Sequence, residues 1–201
     1  MMNPSSEVAT LPRGTVADTR GVLPVVSVVV PAFNEAENIP LLYRRVAEVL
    51  QKMVSQRWEL ILVDDGSRDA TWSVICGLAA DDPKIRGVRL SRNFGHQYAL
   101  MAGLEMAEGD AVISMDCDLQ HPVEMLPVLF EKWRTGYKVV KTLRQDACDI
   151  GWFKGWTSRS FYRVFSYLSG VRLAPGVADF RLMDRQVVEA LLTRDHGYLL
   201  P

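Results

Sequence analysis

Directly after the apolar run Ala111-Val-Ile, the chain places Asp116, Asp118 and Gln120 in the segment Ser114-Met-Asp-Cys-Asp-Leu-Gln-His-Pro122. If an extended strand end carries through them, side chains two apart share a face. Both carboxylates then point the same way, with the Gln120 amide beside them. Hard oxygen donors of this kind suit Mg²⁺ or Mn²⁺, an ion that takes one or two carboxylates from a protein and fills its remaining positions with phosphate oxygens. Cys117, between the acids, offers a soft thiol that such an ion binds poorly, and it reads as a small spacer. Pro122 closes the segment at an expected helix start.

Two further segments carry acids at turns: Pro31-Ala-Phe-Asn-Glu-Ala-Glu-Asn38 and Asp64-Asp-Gly-Ser-Arg-Asp69. Each segment taken alone has a plain alternative. A single Asp-x-Asp is a frequent accident. Asp64-Asp-Gly-Ser makes an ordinary turn that caps the following helix, and Asn34 to Asn38 reads as a helix start whose acids the dipole favours. Joint occurrence shifts the balance, because all three follow expected strands.

The elements that position these turns alternate in type. Strands are expected over Val25–Val30, Trp58–Val63, Ile85–Leu90, Ala111–Met115 and Lys138–Leu143, from β-branched and apolar runs bounded by turn residues. Helices are expected over Asn38–Leu50, Ala70–Ala80, His96–Ala107 and Pro122–Thr135, with Leu42, Val46, Val49 and Leu50 forming one stripe, and Ser67 or Asp69 capping the second helix. Such spacing implies parallel strands with helical crossovers, hence a doubly wound α/β sheet that binds ligands beyond the carboxyl ends of its strands. No strand is followed by G-x-G-x-x-G or by a P-loop pattern, so neither a dehydrogenase-type dinucleotide site nor a P-loop is supported. Acid-rich strand ends suit a nucleotide held by ribose hydroxyls, base edge and a bridging metal.

Composition sets the frame. With 201 residues, 48% of them hydrophobic, the chain supports one domain with a substantial core. The net charge of -1 names no partner, and nucleic acid is not expected. Cys76, Cys117 and Cys148 are odd in number and widely spaced, which argues for reduced thiols in the cytosol and against a disulfide or zinc framework. Residues 1–22 lack apolar periodicity and read as a flexible tail, leaving 23–201 as the domain. No run is long enough for a transmembrane helix.

Four ordered motifs resemble glycosyltransferase family 2, of GT-A fold: Val28-Val-Val-Pro-Ala-Phe-Asn-Glu-Ala-Glu-Asn38, Val63-Asp-Asp-Gly-Ser-Arg-Asp-Ala-Thr71, Asp116-Cys-Asp-Leu-Gln-His-Pro122 and Ala178-Asp-Phe-Arg-Leu-Met-Asp184. Within that family the chain is most similar to the polyprenyl-phosphate branch typified by dolichol-phosphate mannose synthase and bactoprenyl glucosyltransferases. The resemblance implies an inverting, metal-dependent transferase that moves a sugar from a UDP- or GDP-linked donor to a polyprenyl or dolichyl phosphate. It implies work at the cytoplasmic face of a membrane. Pro31, Phe33 and Glu35 are assigned by it to the nucleoside pocket, Val63 and Asp65 to the base and ribose, and Asp116, Asp118 and Gln120 to metal and diphosphate. Cys117 stands where the family usually has Ala, and Arg144 matches an arginine that meets phosphate. Asp118 and Asp179 are the implied catalytic positions, Asp179 orienting the acceptor or the sugar; its plain alternative is pairing with Arg181 or a neighbouring cation.

A phosphate monoester acceptor is already mostly dianionic at neutral pH and needs little help from a general base. From Arg134 to Arg194 eleven Lys or Arg face five acids, a balance of +6 in a chain of net -1. Within it, Phe161, Val164, Phe165 and Leu168 share a helical stripe flanked by Arg159 and Arg163. An interfacial helix beside the lipid-phosphate site is expected there, the alternative being an amphipathic helix packed on the sheet. Relatives commonly continue past the position of Pro201 into transmembrane helices, so the chain is expected to be either truncated or reliant on a membrane-bound partner subunit. The competing functions are a family 2 transferase with a saccharide acceptor, a binder of nucleotide-sugar without turnover, and a haloacid-dehalogenase-like phosphatase, whose pattern differs at Gln120.

Overall fold

The structure, a computed structural model, describes residues 9–10, 26–54, 57–143 and 177–195. Strand β1 (Ala9–Thr10) is followed by β2 (Val26–Ala32), α1 (Asn38–Val54), β3 (Trp58–Asp64), α2 (Thr71–Asp81), β4 (Ile85–Arg89), α3 (His96–Met106) and β5 (Ala111–Ser114). A 3₁₀ turn (Val123–Met125), α4 (Leu126–Arg134), β6 (Val139–Leu143), β7 (Val177–Asp184) and a final helix (Arg185–Asp195) complete the order. One seven-stranded sheet runs β1-β4-β3-β2-β5-β7-β6. The centre, β4-β3-β2-β5, is parallel throughout.

Every residue of β2 and β3 is buried, as continuous apolar runs covered on both faces require. On one face, Val28, Val30, Leu60, Leu62 and Ile113 meet Ile39, Leu42, Val46 and Leu50 of α1, Ile75 of α2 and Leu129 of α4. On the other, Val29, Ile61, Val63 and Val112 meet Ala99, Leu100 and Leu104 of α3 and Val188 of the final helix. Each such fully buried aliphatic side chain contributes roughly 1.5–3 kcal/mol. Gly103 lets α3 approach closely, since a Cβ there would stand 2.3 Å from a Val29 methyl.

Two expectations are corrected. The expected fifth strand does not pair with the fourth; β7 inserts between them, antiparallel to both, with Ser114 opposite Arg181 and Val140 opposite Leu182. The expected helix from Pro122 starts as the 3₁₀ turn, and α4 proper begins at Leu126 with Pro127 in its first turn. Within the expected tail, Ala9–Thr10 pairs antiparallel with β4 at the sheet edge.

A buried polar cluster closes the amino end of the central strands. Ser27 donates to Glu59 Oε1 at 2.6 Å and accepts from the Gly109 amide at 2.7 Å. Arg86 reaches Glu59 Oε2 at 3.0 Å, the Glu108 amide donates to Glu59 Oε1 at 2.7 Å, and Arg185 donates twice to the Gly109 carbonyl. Glu59 thus has both oxygens engaged, which is the condition under which a buried carboxylate is tolerated.

Candidate nucleotide-sugar site

The carboxyl ends of β2, β3, β4 and β5 open on one cavity of about 360 Å³, lined by Pro31, Ala32, Phe33, Glu35, Asp65, Asn93, Gly95, His96, Asp116, Cys117 and Asp118. Its walls are three turns and a loop, each built from the chemistry of its own residues.

The turns after β2 and β3 hold each other. Asn34 takes the left-handed φ of 58°, which its short side chain tolerates; its amide donates to Ser67 Oγ at 2.9 Å and its side-chain oxygen accepts from the Arg68 amide at 2.9 Å. Glu35 donates its amide to the Thr71 hydroxyl at 2.8 Å and accepts from the Asn38 side chain at 2.6 Å. Ser67 is therefore committed to Asn34 and does not cap α2. The N-cap position is Ala70, without a side-chain cap, and Asp69 just before it accepts the Thr71 amide at 3.0 Å and the Thr71 hydroxyl at 2.5 Å. These bonds, the hydroxyl's first, hold its carboxyl below the ordinary aspartate range.

Of the adjacent acids in Asp64-Asp65, the first is structural. Asp64 is fully buried, accepts the Ser67 amide at 2.9 Å and faces Arg89 Nε at 3.2 Å. Asp65 lines the cavity and also shapes it, because its two oxygens accept the amides of Phe94 (2.8 Å) and Gly95 (3.0 Å). The loop between β4 and α3 is thereby drawn against the site. Gly95 has φ 99° and ψ 156°, a conformation essentially reserved for glycine, and α3 starts directly after it with His96 on the cavity wall.

The third turn departs from the extended geometry expected for it. Strand β5 stops at Ser114, and Leu119 adopts φ 60°, so the chain folds back rather than running on as a strand. Asp116 and Asp118 both line the cavity, whereas Gln120 is exposed and outside its lining, its backbone N–H donating to Asp118 Oδ1 at 3.0 Å. Asp116, one third exposed, is flanked by two histidines, with His121 Nε2 3.0 Å from Oδ2 and His96 Nε2 3.7 Å from Oδ1. Cys117 is buried, and burial, then the charges of Glu35, Asp118 and Asp116, pushes its thiol up to about 12. It stays protonated and offers no thiolate to a cation.

Seven expected residues meet in this cavity: Pro31, Phe33, Glu35, Asp65, Asp116, Cys117 and Asp118. Phe33 is 41% exposed, a large apolar ring presented at the mouth. Val63 is not among them; its side chain is fully buried on the α3 face, near Gly103. Arg144 and the helix expected around Phe161 lie outside the described residues. Asp179 belongs to β7 by its backbone, and since Arg181 pairs with Ser114, that strand brings Asp179 to the carboxyl end of β5, but its side chain lies outside the described residues. Asn93, Gly95, His96 and His121 were not anticipated. The signal was present: Asn93 to His96 follow a parallel strand's carboxyl end and open a helix, the same rule applied to the other turns.

Asp116 and Asp118 fit a hard divalent cation by donor chemistry, being oxygen ligands on one wall. Among the described residues no group of three His, Cys, Asp or Glu forms a ready-made cage. A pair of carboxylates is the complement Mg²⁺ uses when phosphates complete its sphere.

The fold has counterparts among solved structures. A mannosyltransferase of Pyrobaculum calidifontis, solved in complex with GDP-Man and Mn²⁺, superposes with TM-score 0.59 at 24% identity over 85% of this chain and 47% of its own. Glucosyl-3-phosphoglycerate synthase of Mycobacterium tuberculosis, solved with Mn²⁺, UDP and glucosyl-3-phosphoglycerate, gives 0.58 at 22% over 82% of this chain and 58% of its own. At these identities they establish the GT-A fold. By sequence, the prophage bactoprenol glucosyl transferase homolog of Escherichia coli K12 is 44% identical over 164 residues, 82% of this chain and 53% of the relative. The undecaprenyl-phosphate 4-deoxy-4-formamido-L-arabinose transferase of Aeromonas hydrophila is 39% identical over 169 residues, 84% of this chain and 51% of the relative. The chain thus spans about half the length of these curated relatives. The family model described as Glycosyl transferase family 2 matches residues 27–192, from the first central strand through the final helix, and the chain belongs to that family.

Proposed function

We propose that this chain is the nucleotide-sugar-binding and catalytic portion of an inverting glycosyltransferase that moves a sugar from a UDP- or GDP-linked donor to a polyprenyl phosphate at the cytoplasmic face of a membrane. The observation that carries the reading is the assembly of Phe33, Glu35, Asp65, Asp116 and Asp118, from three separate strand ends, around one open cavity. Relatives named for bactoprenol and undecaprenyl phosphate support the lipid acceptor. No helix among the described residues is long and apolar enough to cross a membrane.

In this reading the exposed ring of Phe33 packs against the base or its surroundings, and Glu35 and Asp65 accept from nucleoside hydroxyls or base N–H groups. Asp116 and Asp118 hold Mg²⁺ or Mn²⁺. When bound, the cation stabilises the negative charge that develops on the departing diphosphate. Arg144 shares that task through bidentate bonds to phosphate oxygens. Asp179 orients the acceptor or the sugar, and the acceptor dianion attacks without a strong base.

The test is transfer from UDP- and GDP-sugars, with Mn²⁺, to a short-chain prenyl phosphate, run beside a saccharide acceptor. A lipid-phosphate glycoside is expected. Transfer to the saccharide alone supports the saccharide reading instead, and Mn²⁺-dependent nucleotide binding without transfer to either makes the chain a binding domain.

A further inference from the structure

We infer that His121 is a positioning residue for Asp116, holding one carboxylate oxygen so that the other stays presented to the cavity. The inference rests on the proposed role of Asp116 as a metal and diphosphate ligand. An ionised carboxylate only accepts, so the 3.0 Å contact between His121 Nε2 and Asp116 Oδ2 requires the hydrogen to sit on Nε2. His121 is itself held. Its side chain is only 11% exposed, and its ring lies 5.2 Å from that of Phe180, tilted by 35°. Phe180 is 1% exposed and belongs to β7, the strand that also carries Asp179. The left-handed turn at Leu119 brings His121 back to Asp116.

A wedge of this kind fixes the carboxylate from the protein side. On the cavity side, His96 Nε2 stands 3.7 Å from Oδ1, beyond hydrogen-bond length. Oδ2 being engaged by His121, Oδ1 is the oxygen we assign to an incoming cation or phosphate. Outer partners of this type orient ligating groups, and their loss typically costs tenfold or more in metal affinity. By bridging Asp116 to Phe180, His121 also ties the donor side of the site to the strand bearing the acceptor-side motif.

Two features of the imidazole, its donor and its ring, separate cleanly by substitution. Gln places an amide nitrogen the same number of bonds from Cα as imidazole Nε2 but lacks the ring. Phe keeps a ring and lacks the donor, and Leu is a second donor-less variant in case Phe does not fold. Mn²⁺ affinity is measured by titration calorimetry and by the Mn²⁺ paramagnetic resonance signal, with saturating UDP or GDP, beside a thermal melt. His121→Phe or His121→Leu is expected to remain folded and bind Mn²⁺ about tenfold more weakly, while His121→Gln stays close to the unsubstituted chain. Unchanged affinity in a folded donor-less variant overturns the inference, as does a His121→Gln affinity as low as theirs. Failure of the unsubstituted chain to bind Mn²⁺ with either nucleotide overturns the metal reading itself.

Discussion

Glu35 donates its backbone amide to the Thr71 hydroxyl at 2.8 Å, and that hydroxyl in turn donates to Asp69 at 2.5 Å. The relay makes the cavity turn after β2 dependent on a residue that does not line the cavity. Thr71→Val leaves the Glu35 amide without its acceptor and is expected to cost about 1–3 kcal/mol in denaturant unfolding, with weaker nucleotide binding. Thr71→Ser should recover both; if Thr71→Val binds nucleotide as tightly as the unsubstituted chain, the relay has no bearing on the site.

Asp118 tests the metal reading directly. Asp118→Asn keeps the size of the side chain and removes its charge, so Mn²⁺-dependent nucleotide binding is expected to fall at least about tenfold, equivalent to ~1.4 kcal/mol. Binding measured in EDTA should not change. Equal losses with and without metal point to a disturbed turn instead.

Two glycines beside the site predict different losses. At Gly66, with φ 68°, a Cβ would lie 2.4 Å from the Arg92 carbonyl carbon, a backbone atom with little room to shift. Gly66→Ala is expected to destabilise by about 3–5 kcal/mol, combining backbone strain with overpacking. At Gly95, among the described residues other than its two chain neighbours, no heavy atom lies within 4 Å of the added Cβ, and its positive φ is what resists substitution. Gly95→Ala should cost about 1–3 kcal/mol, and thermal melts of the two variants give the order.

Acid stability depends in part on Asp184. Burial pushes its carboxyl up, but the Trp133 indole N–H at 2.8 Å, Lys138 at 3.1 Å and the Gln186 amide outweigh this and leave it below the ordinary value of 3.8. A folded-state value below the unfolded one contributes stability that is present above the unfolded value and is lost as pH falls through the folded one. Asp184→Asn is therefore expected to destabilise most at neutral pH, the gap to the unsubstituted chain closing on acidification below about pH 4. A gap that is flat with pH, measured by urea unfolding, removes the charge from the explanation.

Much of this architecture is legible in the residues. The β-branched run of β2 and the apolar run of β3 identify strands covered on both faces, and their acid-bearing exits locate the cavity that Phe33, Asp65 and Asp116 share. Antiparallel β7 is not legible, because Ala178-Asp-Phe-Arg carries a motif whose polar residues obscure its alternation. Gln120 is misplaced by a period-two argument, since nothing in Asp118-Leu-Gln announces a left-handed Leu119. The loop Asn93 to His96 is overlooked for want of an acid; the acid that recruits it, Asp65, sits on another strand.

The cluster around Glu59 and the cavity around Asp65 occupy opposite ends of the same strand. Strand β3 is seven residues long, so its ends stand roughly 20 Å apart at about 3.3 Å per residue. Sites so separated, with no shared partner, behave additively. Arg86→Met, which strips Glu59 of its counter-charge, should cost about 3 kcal/mol of stability. Combined with Asp118→Asn, each change should keep its own effect, one on unfolding and the other on nucleotide affinity. Stability set at the Glu59 end of β3 and nucleotide affinity set at Asp118 are thus open to independent change by drift or by design.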